Sequence, residues 1–152
     1  MIIDARNEFA DAVSCNTGAA GTYNLGSLLN SEVARDLGNG EPIYLVITVA
    51  TGITTAGSAG TVAFQLVSDS TDTISTTTQT IHSVSKAWTT GSTAVAAGTV
   101  LFCVALPPEG AVYEQYLAVQ QVTGTTALNA GAINAFLTKE PHTAPKAYAN
   151  AI

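Results

Sequence analysis

Charge is what this sequence has least of. Lys and Arg together number 5 and Asp and Glu 11, so charged residues make up 11% of the 152-residue chain and the net charge is -6; an ordinary soluble domain carries about 25%. The five cations, Arg6, Arg35, Lys86, Lys139 and Lys146, are scattered along the chain. Neutralising phosphates takes a patch of Lys and Arg, so the pattern points away from nucleic acid as a partner. A charge-poor soluble chain either hides surface in an assembly or lets Thr and Ser supply the polarity. Long apolar runs are also missing, so no segment reads as a membrane-spanning helix and no membrane partner is expected. The opening Met1 to Val13 carries Asp4, Arg6, Glu8 and Asp11 and does not read as a secretory signal. The expectation is a product made and kept in the cytoplasm unless it leaves inside something larger.

Metal-binding and catalytic motifs are thin as well. The chain has two histidines and two cysteines. His82 and His142 lie far apart, and neither is spaced with Cys or a second His as zinc ligands are. A lone strand histidine such as His82 reads as a hydrogen-bonded or surface residue. Cys15 and Cys103 both fall in strand-like segments and read as buried thiols with no need of a disulfide. No phosphate-binding loop of the GxxxxGK[ST] type occurs, and the glycines of GNG and GSAG lack a strand-to-helix setting. No serine sits in a GxSxG elbow. Asp69 with Asp72 and Glu109 with Glu114 flank loops; a calcium ion needs six to eight oxygens, which Asp69, Ser70 and Asp72 cannot supply unaided. The expectation is therefore no enzyme, no cofactor and no metal.

What the sequence does contain is strands. In DLGNGEPIYLVITVAT (36–51) the glycines, Asn39 and Pro42 are turn chemistry. From Ile43 alternation puts Ile43, Leu45, Ile47 and Val49 on one face and Tyr44, Val46, Thr48 and Ala50 on the other. Both faces are mostly apolar, which predicts a central strand, followed by a Gly, Thr and Ala loop from Thr51 to Gly60. Further strands are expected at Thr22–Leu25, Thr61–Asp69, around Ile81 and His82 (on opposite faces), and at Thr99–Leu106, which Pro107 and Pro108 stop. Gln115–Thr123 and Ala132–Lys139 read as a hairpin across GTTALNAG. The Ser/Thr-rich 70–80 stretch is a polar connection, and SLLNSEVARDL offers at most one helical turn. Seven to nine strands without a long helix predict an all-β protein, an antiparallel jelly-roll-like β-sandwich.

In domain terms, residues 1–15 form an N-terminal arm or first strand anchored by Ile3, Phe9, Val13 and Cys15. Residues 16–140 form one sandwich, and 141–152 an extended C-terminal tail. At this size a single unstapled core is feasible, since such a domain buries roughly 70% of its unfolded surface.

Five segments, in order, carry a resemblance: MIIDARNEFADA, DLGNGEPIYLVITV, GTVAFQLVSDS, LPPEGAVYEQYLAVQQV and GAINAFLTKE. Over nearly the whole chain up to about His142 the sequence resembles the capsid cement (decoration) proteins of short-tailed bacteriophages. The resemblance implies a jelly-roll-like protein that forms a homo-dimer or homo-trimer. It would clamp the outer face of an icosahedral head, its partner the phage major capsid protein and its location the virion surface. It supplies no matched functional residues.

Candidate contact residues come from the arms and one turn: Ile2, Ile3 and Phe9 at the N-terminus, Glu109, Tyr113 and Tyr116 in the Pro107–Tyr116 turn, and Tyr148 and Ile152 in the tail. The rival expectation is a glycan-binding or adhesive sandwich on a virion surface, using the Ser/Thr loops with Trp88 as a stacking platform. An exposed Trp88 would favour it; a buried one favours core packing.

Overall fold

The computed structural model describes residues 7–15, 19–28, 42–55, 60–91, 94–107 and 112–141. These residues form nine strands: β1 (Glu8–Ser14), β2 (Gly21–Leu28), β3 (Tyr44–Thr55), β4 (Thr61–Asp69), β5 (Thr80–Val84), β6 (Trp88–Thr89), β7 (Val100–Ala105), β8 (Tyr116–Gly124) and β9 (Leu128–Thr138). One sheet has the order β1-β9-β3-β7 and the other β2-β8-β4-β5, with β6 also paired to β4. Every pairing is antiparallel. If β5 and β6 are counted as one interrupted edge, the chain switches sheet at every step except β4 to β5, which pair directly. That is the eight-stranded jelly roll, and the expected all-β sandwich is the observed fold.

The core lies between the sheets. β3 is central, flanked by β9 and β7, and its Leu45, Ile47 and Val49 join Phe64, Leu66, Val119 and Ile133 in one apolar cluster. Alternation selects these residues: Val62, Phe64 and Leu66 point inward from β4 while Gln65 and Val67 take the opposite face. Each fully buried Leu, Ile or Phe contributes about 1.5–3 kcal/mol relative to exposure. On the second face Val46 is buried, while Tyr44, Thr48 and Ala50 are half-buried, so that face is covered only in part.

Three expectations are corrected. β3 runs on through Thr51 to Thr55 instead of ending in a loop; Thr favours extended backbone, and Ile53, wholly buried, anchors this end by exchanging backbone hydrogen bonds with Val95. β8 and β9 are not a hairpin. Each pairs with strands of a different sheet, and residues 125–127 arch between the layers with Thr125 at φ 67°, because both strands have an apolar face that must meet the same core. Cys103 is exposed, on the edge strand β7, while Cys15 is buried, and both thiols are free.

Irregular positions are satisfied locally. β1 shifts register against β9 between Ala10 and Val13. There Ala12 takes φ 48° and gives its N–H to the Asn134 side chain at 2.7 Å. The bulge thus gives the Ala12 donor a side-chain acceptor on the partner strand.

Candidate interaction surfaces

The outer face of the second sheet is roofed by its own loop. Asp69 closes β4, and its carboxylate accepts the Ser75 N–H at 2.9 Å and the Thr71 N–H at 3.3 Å. The Ser75 amide first, with those of Thr71 and Ser70 adding to it, holds the Asp69 carboxyl below the usual range against a smaller opposing effect of burial. Ser75 Oγ in turn accepts the N–H groups of Thr77 and Thr78, each at 3.1 Å. This turn sets Ile74 down on Val67, Ala118 and Tyr116.

Beneath the same loop lies a chain of carboxamides. Gln65 Nε2 donates to Gln120 Oε1 at 2.7 Å, Gln120 Nε2 donates to Asn24 Oδ1 at 2.6 Å, and Asn24 Nδ2 donates to the Ile74 carbonyl at 2.9 Å. Gln120 Nε2 also reaches the Ser75 carbonyl and Gln79 Nε2 reaches Gln120 Oε1, both at 3.3 Å. Neutral amides both donate and accept, so such a chain satisfies buried polar atoms without charge. The Ser/Thr run is therefore bonded to its own sheet.

A second polar cluster sits at the β5 edge. Ser68, fully buried on β4, stands 2.7 Å from His82 Nε2. Its Oγ also accepts the Glu114 N–H at 3.1 Å. Tyr113 stacks on the His82 ring with centroids 3.9 Å apart, and its hydroxyl donates to the Pro107 carbonyl at 3.1 Å. The Glu114 carboxylate accepts from Thr80 Oγ1 at 2.8 Å. A serine, a histidine and a carboxylate thus share a corner, but Ser68 is enclosed and its oxygen is already an acceptor; the arrangement positions the segment before β8.

Of the sequence-derived contact residues, Phe9 is 6% exposed and packs in the core, so its ring does not reach the surface. Tyr113 and Tyr116 are half-buried, one on His82 and one against the Val67 cluster. Ile2, Ile3, Glu109, Tyr148 and Ile152, like His142, lie outside the described residues. Trp88 is half-buried against the core and carries Lys86 Nζ 3.9 Å from its ring centroid, so the proposed stacking platform is already occupied on that side. Among the described residues no three His, Cys, Asp or Glu side chains gather where they could hold a metal. A hollow of about 80 Å³ between Asn7, Ile43 and Leu137 is far below the roughly 300–1,000 Å³ of a ligand pocket.

Pattern reading missed the large apolar side chains that do face solvent. Ile81 is 49%, Val84 55% and Val112 84% exposed. Ile81 and Val84 lie on the edge strand β5, paired with Val67 and Gln65 of β4, and Val112 lies in the segment before β8. The signal available in sequence was β5's position after a polar loop, which marks an edge.

The fold and these clusters define a jelly-roll sandwich most of whose buried polar side chains hold its own loops and edges, with Gln79 Oε1, Gln121 Oε1 and Trp88 Nε1 buried without a hydrogen-bond partner. The chain belongs to the Bbp16 family, whose model matches residues 9–137, from β1 into β9. That family is phage-associated, which is compatible with a structural protein of the virion. No curated protein matches the chain.

Proposed function

We propose that the protein is a capsid cement, a decoration protein that oligomerises on the outer face of an icosahedral phage head and ties neighbouring major capsid protein subunits together without catalysis. The match of a phage-associated family along almost the whole jelly roll carries this reading. Supporting it are the low charge of the chain and the exposed apolar side chains Ile81, Val84 and Val112, since contact cores are depleted in charge. Binding to the assembled lattice and not to free subunits stabilises the lattice by mass action, and several copies around one junction add through avidity.

The test is add-back to heads that lack an outer decoration. Heads reconstituted with the protein should survive heating or internal pressure that bursts bare heads. Equal survival of bare and reconstituted heads at full occupancy would refute the cement role.

A further inference from the structure

The hydrogen bonds of the β5 corner favour one protonation state of His82. Ser68 Oγ accepts the Glu114 N–H, so its own single proton must go elsewhere. His82 Nε2, at 2.7 Å, is the acceptor that stands there. With Ser68 donating to Nε2, the imidazole is neutral and carries its proton on Nδ1. A proton added at Nε2 would turn the imidazole into a donor to Ser68 Oγ and take away the acceptor of a fully buried hydroxyl proton, which folded structures avoid. The Tyr113 ring covers the imidazole on one side at 3.9 Å.

We propose that this corner is a pH-operated latch: neutral His82 binds Ser68 and Tyr113 and so holds the Val112–Tyr116 approach to β8 against β5, and protonation of His82 lets that segment go. The contacts come from four parts of the chain: Ser68 from β4, Thr80 and His82 from β5, Pro107 after β7, and Tyr113 with Glu114 before β8. Glu114 is the charged group acting on the imidazole, and Tyr113 the other titratable group facing it; Ser68 and Thr80 are neutral. Asp69 points to the opposite face of β4 and is occupied by the loop amides.

Burial lowers the affinity of His82 for a proton, and the Glu114 carboxylate only partly offsets this. The sign follows. A histidine whose folded pKa lies below its unfolded value of about 6.5 favours the closed latch above that value and loses that preference as the pH falls through the folded pKa. The latch does not rest on the capsid reading.

Amide hydrogen exchange at the Glu114 N–H reads the latch directly, because that group donates to Ser68. Wild type and His82→Gln are compared at each pH so that intrinsic exchange cancels, with the core amide of Val119 as internal reference. From about pH 8 to about pH 5 the wild-type protection at Glu114, relative to the variant, should fall several-fold while Val119 stays protected. Glu114→Gln should move that fall to lower pH, because it removes the carboxylate that favours the imidazolium; this second comparison stands even if His82→Gln fails to fold. A pH-independent ratio, or an imidazole that titrates by NMR at or above its free value, overturns the proposal.

Discussion

Gly131 on β9 presses against Ile53 on β3: a methyl group built at Gly131 would lie 2.9 Å from the Ile53 Cα and 2.8 Å from its Cγ1, and the backbone there has φ +135°. Gly98 shares a positive φ, +81°, but faces open space. The pair separates backbone strain from steric overlap. Gly98→Ala should cost about 1–2 kcal/mol, the left-handed penalty alone. Gly131→Ala adds a collision with main chain that cannot move aside and should cost roughly 2–4 kcal/mol. Urea denaturation of both variants checks this, and equal losses would contradict it.

Gln120 is the hub of the amide chain under the 70–79 loop. Replacing it with Leu keeps the volume but strands the buried Gln65 amide and removes a partner of Asn24, which is itself exposed. The expected cost is about 1–3 kcal/mol, the penalty for buried polar atoms left unpaired. Exchange at the Ser75 amide should rise more than exchange at core amides such as Val119. Unchanged exchange there would show that the loop is held by Ile74 packing and not by the amides.

Asp69 makes the same loop acid-sensitive. Its carboxyl is held below the usual range by the Ser75 amide above all, so the stabilisation is present above the unfolded value of about 3.9 and is lost as the pH falls through the folded pKa. Asp69→Asn should be less stable at neutral pH and show a weaker decline of stability in acid. Parallel stability profiles of the variant and the wild type would contradict this assignment.

The two thiols should differ sharply. Cys15 is wholly buried, and desolvation pushes its pKa up to about 12, which suppresses the reactive thiolate. Cys103 is exposed. A thiol reagent should therefore label one site per native chain and two after denaturation, and labelling of both in the native state would be at odds with the packing around Cys15.

Regular alternation made the strands legible. Thr61–Asp69 has the same bounds in sequence and structure, because Val62, Phe64 and Leu66 alternate with polar or smaller neighbours and have one core to meet. The step from β8 to β9 was not legible: alternation gives a strand's faces but not its partners, and an arch between sheets uses the same small turn residues as a hairpin. The exposure of Cys103 was hidden for a related reason, since an apolar edge strand reads like a central one. The amide chain and the Ser68–His82 corner join residues from 14 to 96 positions apart, a relation that no local spacing encodes.

Co-sedimentation with phage heads measures most directly what the jelly roll binds. Undecorated assembled heads and unassembled major capsid subunits of the same phage are titrated separately with the protein. Saturable binding to the assembled heads, with little or none to free subunits, is the result the cement reading predicts. No binding to heads, or equal binding to heads and free subunits, would contradict it.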